Sequence, residues 1–223
     1  MEPTRIGVVG SGDVGRSLAA GFAARGHEVT IGTRDPQANE SLQAWGAQHD
    51  GVAISSFKGA AEAGEILVLA ARGDAAEEAI AIAGPEHFAG KVVIDTTNPL
   101  VVAGGQEVGM TVGHTDSGGE IVQRAIPDAH VVKAFNIVNQ AQMVDPTLPP
   151  PPGRRLTMFI AGNDADAKAT VAQILDSFGW DALDIGPIEQ SRQLESLCLL
   201  WVAVAGARGG RYDHAITLVA PPD

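Results

Sequence analysis

The sequence predicts an α/β fold, a doubly wound parallel sheet followed by a small C-terminal α/β subdomain, from three observations. Short β-branched runs alternate with segments of helical apolar spacing, the pattern of successive β-α-β units. Ile66–Ala71 and Val92–Asp95 are apolar at consecutive positions, as strands covered on both faces are. A glycine-rich turn joins the first strand to the first helix.

Each element follows from its own residues. Arg5–Gly10 is a β-branched run ending in Gly, and Val14–Arg25 spaces Val14, Leu18, Ala19 and Phe22 on one helical face before Gly26. Strands are expected at Glu28–Thr33, Val52–Ser55, Ile66–Ala71, Val92–Asp95 and His130–Phe135, with helices at Asp74–Ala83 and Gly118–Ala125. Four consecutive prolines within residues 145–153 cannot continue a helix or central strand and read as a stiff connector. Beyond it come a strand at Leu156–Ala161, a helix at Asp164–Phe178 and a strand at Ala182–Ile185. A long helix from Ile188 to Ala205 and a last strand at Ala215–Val219 follow. The expected division is residues 1–144 as a dinucleotide-binding domain, 145–153 as connector, and 154–223 as the subdomain. That last part would complete an acceptor site and offer a dimer surface.

Composition removes whole classes of function. The 223 residues carry a net charge of −12, the wrong sign for nucleic acid or an anionic membrane surface. A single cysteine, Cys198, excludes an intrachain disulfide framework and any multi-cysteine metal site, and its apolar neighbours mark it as a core residue. The longest nearly apolar run, Leu197–Ala207, falls short of the ~20 residues a membrane span needs. Residues 1–10 hold no apolar signal core, so a cytoplasmic protein is expected.

Gly10-Ser11-Gly12-Asp13-Val14-Gly15 is a G-x-G-x-x-G motif set between a strand and a helix, the place where a Rossmann-type fold binds the pyrophosphate of a dinucleotide. Gly10 permits the tight turn, Gly12 the close approach of backbone to pyrophosphate, and Gly15 the packing of helix on strand, while the helix N-terminus attracts the anion. At the end of the second strand, plain spacing reaches Asp35, an NAD-like choice. Strand register instead puts Thr33 and Arg34 at the ribose. A hydroxyl and a guanidinium suit the 2′-phosphate of NADP.

No general base stands out. Tyr212 is the only tyrosine and has no lysine four residues on. His27, His49, His87, His114, His130 and His214 are scattered singly, with only His114 in a loop that could face the strand ends. No catalytic residue and no metal site are assigned. Hydride transfer between a nicotinamide and a flavin-like ring requires mainly stacking and orientation, and such a sequence suits it.

These residues carry a family resemblance. From about Arg5 to Val202 the chain resembles the NADPH-dependent F420 reductases and the related oxidoreductase domain of the STEAP metalloreductases. Gly10–Gly15 with Arg16-Ser17-Leu18, and Gly32-Thr33-Arg34-Asp35-Pro36, are similar to both. Arg72, Asp95-Thr96-Thr97-Asn98-Pro99 and Val131-Val132-Lys133-Ala134-Phe135-Asn136 look STEAP-like, whereas Gly186–Leu197 resembles the F420 reductase C-terminal signature. The resemblance implies that Ser11, Asp13 and Val14 line the pyrophosphate loop and that Ala70, Ala71 and Arg72 pass the nicotinamide ribose, with Asn98 and Pro99 beyond. Lys133, Ala134, Phe135 and Asn136 would end the sixth strand at the nicotinamide, facing the second cofactor. Phe135 is equally well read as core and Lys133 as a surface ion pair.

The resemblance implies NADP(H) as cofactor and F420 or a flavin as second cofactor or substrate, a small-molecule redox acceptor in either case. A flavin or ferric reductase, a small-metabolite reductase and a non-enzymatic NADPH sensor are the alternatives. Residues 1–153 carry 18 acids against 9 bases and residues 154–223 carry 9 against 6, so Arg154, Arg155 and Arg192 are candidates for an anionic tail. The last helix carries Leu194, Leu197, Cys198, Leu200, Trp201 and Val204, a stripe wider than one packing face, from which a homodimer is expected.

Overall fold

The computed structural model describes residues 2–103 and 106–219. In chain order the strands are β1 (Arg5–Val9), β2 (Glu28–Thr33), β3 (Val52–Ser56), β4 (Ile66–Leu69), β5 (Val92–Asp95), β6 (Leu100–Ala103), β7 (Gln106–Met110), β8 (His130–Lys133), β9 (Leu156–Gly162) and β10 (Trp180–Asp184). The helices are α1 (Asp13–Ala23), α2 (Glu40–Gly46), α3 (Phe57–Ala63), α4 (Ala76–Ala83), α5 (Gly118–Ala125), α6 (Ala165–Ser177) and α7 (Ser191–Ala207).

One eight-stranded sheet runs β10-β9-β8-β5-β4-β1-β2-β3. The order β3-β2-β1-β4-β5-β8 is the doubly wound Rossmann order, and all five of its pairings are parallel. The chain direction reverses at β9, which pairs antiparallel with β8, and β10 then pairs parallel with β9. The strands beyond the proline-rich segment thus extend the same sheet. β6 and β7 form a separate antiparallel hairpin that the sequence reading did not anticipate.

The consecutive apolar residues of the central strands feed two cores. Along β4, Ile66 and Val68 join Leu18, Phe22, Ile31 and Phe178 on one face. Leu67 and Leu69 join Phe57, Ile80, Phe88 and Val122 on the other. In α1, Leu18, Ala19 and Phe22 recur at helical spacing on the buried face, and burying a ring such as Phe22 stabilises the fold by about 1.5–3 kcal/mol.

Four local expectations need correcting. Asp74–Ala83 begins as a 3₁₀ turn over Gly73–Ala75 before α4. β8 stops at Lys133 because Phe135 adopts a positive φ of 62°, which turns the chain out of the sheet. The helices α2 and α3 were not foreseen; they are short and are held by side-chain caps from Asn39 and Ser56. Residues 215–219 form no strand: Thr217 and Leu218 are tied to Thr157 through side-chain oxygens, not a ladder.

Candidate functional site

The order of the sheet reverses between β1 and β4, and the crevice at their carboxyl ends is where an open α/β sheet takes ligands. Two cavities meet there, sharing Gly12, Ala70, Ala71 and Arg72 in their walls. The first, about 300 Å³, is further lined by Gly10, Ser11, Thr33, Arg34, Asn39 and Phe57. The second, about 570 Å³, is further lined by Asp13, Val14, Thr96, Thr97, Asn98 and Gln140.

Close packing builds the floor between them. A Cβ on Gly10 would stand 2.3 Å from the Ala70 carbonyl oxygen, and one on Gly15 would stand 2.1 Å from the Gly10 carbonyl oxygen. Both positions therefore require glycine, and Gly10 also has a φ of 134°. Gly12 is the opposite case: a Cβ there would meet nothing within 4 Å. The space above it opens into both cavities at the start of α1, whose first-turn N–H groups have no intrahelical acceptor. A diphosphate fits this cradle on steric and electrostatic grounds.

At the far end of the first cavity, Thr33 closes β2 and Arg34 follows it, exposed. Asp35, the residue that spacing alone would nominate, is turned into its own loop, where Oδ1 accepts the N–H groups of Gln37 and Ala38. Sequence reasoning missed two supports here. Asn39 caps α2 and donates from Nδ2 to the Thr33 hydroxyl at 3.2 Å. Arg16 donates to the Ser11 carbonyl and to Ser41, tying the glycine loop to α2. A helix cap after Pro36 was the only signal available for Asn39.

The second cavity rests on residues that do not line it. Asn98 donates from Nδ2 to the Asn136 carbonyl at 2.8 Å and accepts from Asn136 Nδ2 at 2.9 Å. Asn136 Nδ2 also reaches the Leu194 carbonyl in α7. Asn136, Ala134 and Pro99 are buried, and with Gly15 they line neither cavity, whereas the other expected contacts do. Phe135 packs into the core against Phe178.

Lys133 is no surface residue. Its side chain is fully buried, with Nζ 2.7 Å from Asp95 Oδ2 and 2.9 Å from Glu195 Oε1, and it donates to the Thr97 carbonyl at 2.8 Å. Burial acts to lower its pKa, but the two adjacent carboxylates outweigh that, so the ammonium is held above the ordinary lysine value. Glu195 in turn accepts the N–H groups of Gly118 and Gly119 at the start of α5.

The candidate tail arginines are partly committed elsewhere. Arg192 forks onto Glu120, whose carboxyl is held below the usual range by that pairing and by the Ser117 hydroxyl. Arg155 pairs with Asp176. His114 is exposed and lines neither cavity. Cys198 is buried, as its apolar neighbours predict. Among the described residues no helix is long and apolar enough to cross a membrane.

A doubly wound sheet with a diphosphate cradle, a cation beside a hydroxyl at the end of β2, and a second cavity at the strand ends defines a dinucleotide-dependent oxidoreductase. Residues 5–99 match the family described as "NADP oxidoreductase coenzyme F420-dependent". A crystal structure from Arthrobacter sp. FB24, provisionally named an F420-dependent NADP-reductase, superposes with a TM-score of 0.91 at 38% identity, covering 97% of this chain and all of that one. The F420-dependent NADP reductase of Methanothermobacter marburgensis is 29% identical over 86% of this chain and 88% of its own. Metalloreductase STEAP3 of Rattus norvegicus is 28% identical over 89% of this chain, which spans 37% of that protein's length. The chain belongs to the F420-dependent NADP oxidoreductase family.

Proposed function

We propose that this chain binds NADP(H) across the two cavities and transfers hydride between it and coenzyme F420. The observation that carries the reading is the open space above Gly12, which joins a cavity ending in Thr33 and Arg34 to one floored by Thr96–Asn98. When bound, NADPH supplies the hydride from its nicotinamide.

The chain's own contribution is placement. The α1 N-terminus and the backbone of Gly10–Gly12 hold the pyrophosphate, while Thr33 and Arg34 hold the 2′-phosphate. The small side chains of Ala70 and Ala71 let the cofactor lie close to the sheet, and Thr96, Thr97 and Asn98 floor the acceptor end. Lys133 fixes that floor from below through the Thr97 carbonyl, and Asn136 does so through Asn98. Hydride transfer between two aligned rings needs no covalent intermediate, so alignment and exclusion of water are the work assigned to these residues. Residues 154–223 take part in the acceptor end through Leu194 and Glu195, which hold Asn136 and Lys133.

Similarity to the Methanothermobacter reductase over 88% of that protein's length supports F420 as acceptor. The second reading, an NADPH-dependent flavin or ferric reductase, is favoured by the STEAP-like segments at Asp95–Pro99 and Val131–Asn136 and by the match to STEAP3. Oxidation of NADPH followed in parallel with F420, FMN, FAD, ferric chelates and small imines or ketones tests both. Fastest turnover with F420 supports the first reading, and fastest turnover with a flavin or ferric chelate replaces it with the second. Tight NADPH binding without turnover on any of them would make the protein a nucleotide sensor.

The same reading includes a cytoplasmic homodimer joined through α7. Leu200 is 55% exposed within the apolar stripe and lines a shallow depression with Phe159, Ile185 and Leu197. A monomeric mass in light scattering would remove the dimer.

A further inference from the structure

We propose that Asn39 is a positioning residue for cofactor choice: it orients the Thr33 hydroxyl as a hydrogen-bond donor into the first cavity and so favours a 2′-phosphate over a 2′-hydroxyl. This rests on the NADP reading above and deepens it.

The geometry fixes the direction of each bond. Asn39 Oδ1 accepts the Leu42 N–H at 3.0 Å as the N-cap of α2, so the amide cannot be flipped without losing the cap. Nδ2 is therefore the group that faces Thr33 Oγ1, at 3.2 Å, and it can only donate. A threonine hydroxyl carries one hydrogen and two lone pairs, and Asn39 occupies a lone pair. Thr33 is buried, at 7% exposure, and lines the cavity together with Asn39. Among the described residues the Thr33 hydroxyl accepts from Asn39 and has no acceptor of its own within hydrogen-bond distance.

Beside the end of β2 there are thus a guanidinium and an outward hydroxyl hydrogen, both donors. The nearest carboxylate in sequence, Asp35, does not line the cavity, and its Oδ1 accepts two backbone N–H groups. A phosphate presents only acceptors and satisfies such a set. A ribose 2′-hydroxyl must also donate, and neither Thr33, Arg34 nor the Asn39 amide nitrogen offers it an acceptor; the carboxylate that does line this cavity, Glu78, is carried by α4 and not by β2 or α2.

The test is calorimetric titration of the purified wild-type protein and five variants with NADP⁺ and NAD⁺. Asn39→Ser keeps a side-chain cap on α2 while removing the amide donor. It is expected to lose about tenfold in NADP⁺ affinity, the size of one charge-assisted hydrogen bond, with NAD⁺ affinity unchanged. Thr33→Val is expected to lose at least as much, and Thr33→Val/Asn39→Ser no more than Thr33→Val alone, since Asn39 acts through the hydroxyl. Asn39→Asp, which also keeps the cap, is expected to lose more than Asn39→Ser, because the hydroxyl would then donate to the new carboxylate. Equal losses for both nucleotides, no loss in Asn39→Ser or additive losses in the double variant would each overturn the proposal. Arg34→Ala separates the two layers. If it abolishes NADP⁺ preference while Asn39→Ser does not reduce it, the NADP reading stands and the role of Asn39 falls. A wild-type protein that binds both nucleotides equally removes both.

Discussion

Lys133 Nζ lies 2.7 Å from Asp95 Oδ2, and solvent reaches neither side chain. The pair joins β8 to the end of β5 directly under the second cavity, and Glu195 brings α7 into the same contact at 2.9 Å. A buried cation of this kind is a liability when a partner is lost. Removing the ammonium in Lys133→Met leaves two buried carboxylates without a counter-charge and should cost about 3–5 kcal/mol of folding stability in urea denaturation. A change below about 1 kcal/mol would show that the cluster is not held as described.

The same pairing sets an alkaline limit. The folded-state pKa of Lys133 is raised above its ordinary value of 10.5. Its stabilisation is therefore complete below that value and is lost as pH rises through the folded-state pKa. At the acid end Glu120 behaves in the opposite sense. Its pKa is lowered from 4.5, so its contribution is present above that value and disappears as pH falls through the folded-state pKa. Denaturation curves measured across pH should show Lys133→Met without the alkaline decline and Glu120→Gln with a shallower acid one.

Among the described residues Arg34 has no carboxylate partner within ion-pair distance, and it is exposed beside Thr33. Arg34→Ala should lower kcat/KM for NADPH about ten- to a hundredfold, the loss of one or two charge-assisted contacts, while leaving NADH nearly unaffected. Retained preference for NADPH would remove the assignment of the 2′-phosphate to this end of the cavity.

Two glycines two residues apart should respond oppositely. Gly12→Ala places a methyl in open space, so stability should change by less than about 1 kcal/mol while NADPH affinity falls by an order of magnitude or more. Gly10→Ala forces a methyl against the Ala70 carbonyl at a φ that disfavours side chains, and should destabilise by at least about 1–3 kcal/mol. Thermal melts with and without cofactor distinguish the two effects.

The parts of the site that could be read from the sequence are those made by neighbours in the chain. Gly10–Gly15 sits inside one strand–turn–helix unit, and Thr33-Arg34 follows from the register of a single strand, so both stand where their patterns predicted. The parts that could not be read are made by distant partners. Nothing near Lys133 reveals that Asp95 and Glu195 enclose it, and in isolation a lysine at a strand end suggests solvent. Asn136, which the resemblance puts at the nicotinamide, is buried and lines neither cavity: after the positive φ of Phe135 its amide bonds to Asn98, which does line the second. Asn39 carries no sequence signal of its role, because α2 is too short to leave a periodic trace and the contact with Thr33 is made only in the folded chain. Residues 215–219 alternate like a strand yet are held by two threonine hydroxyls, an arrangement that carries no periodic signature.

Titration calorimetry of the unmodified protein with NADP⁺ and with NAD⁺ addresses the central claim most directly. One NADP⁺ should bind per chain, at least tenfold more tightly than NAD⁺, and the difference should shrink as salt screens the phosphate. Absence of heat with NADP⁺, or equal affinity for the two nucleotides, would contradict it.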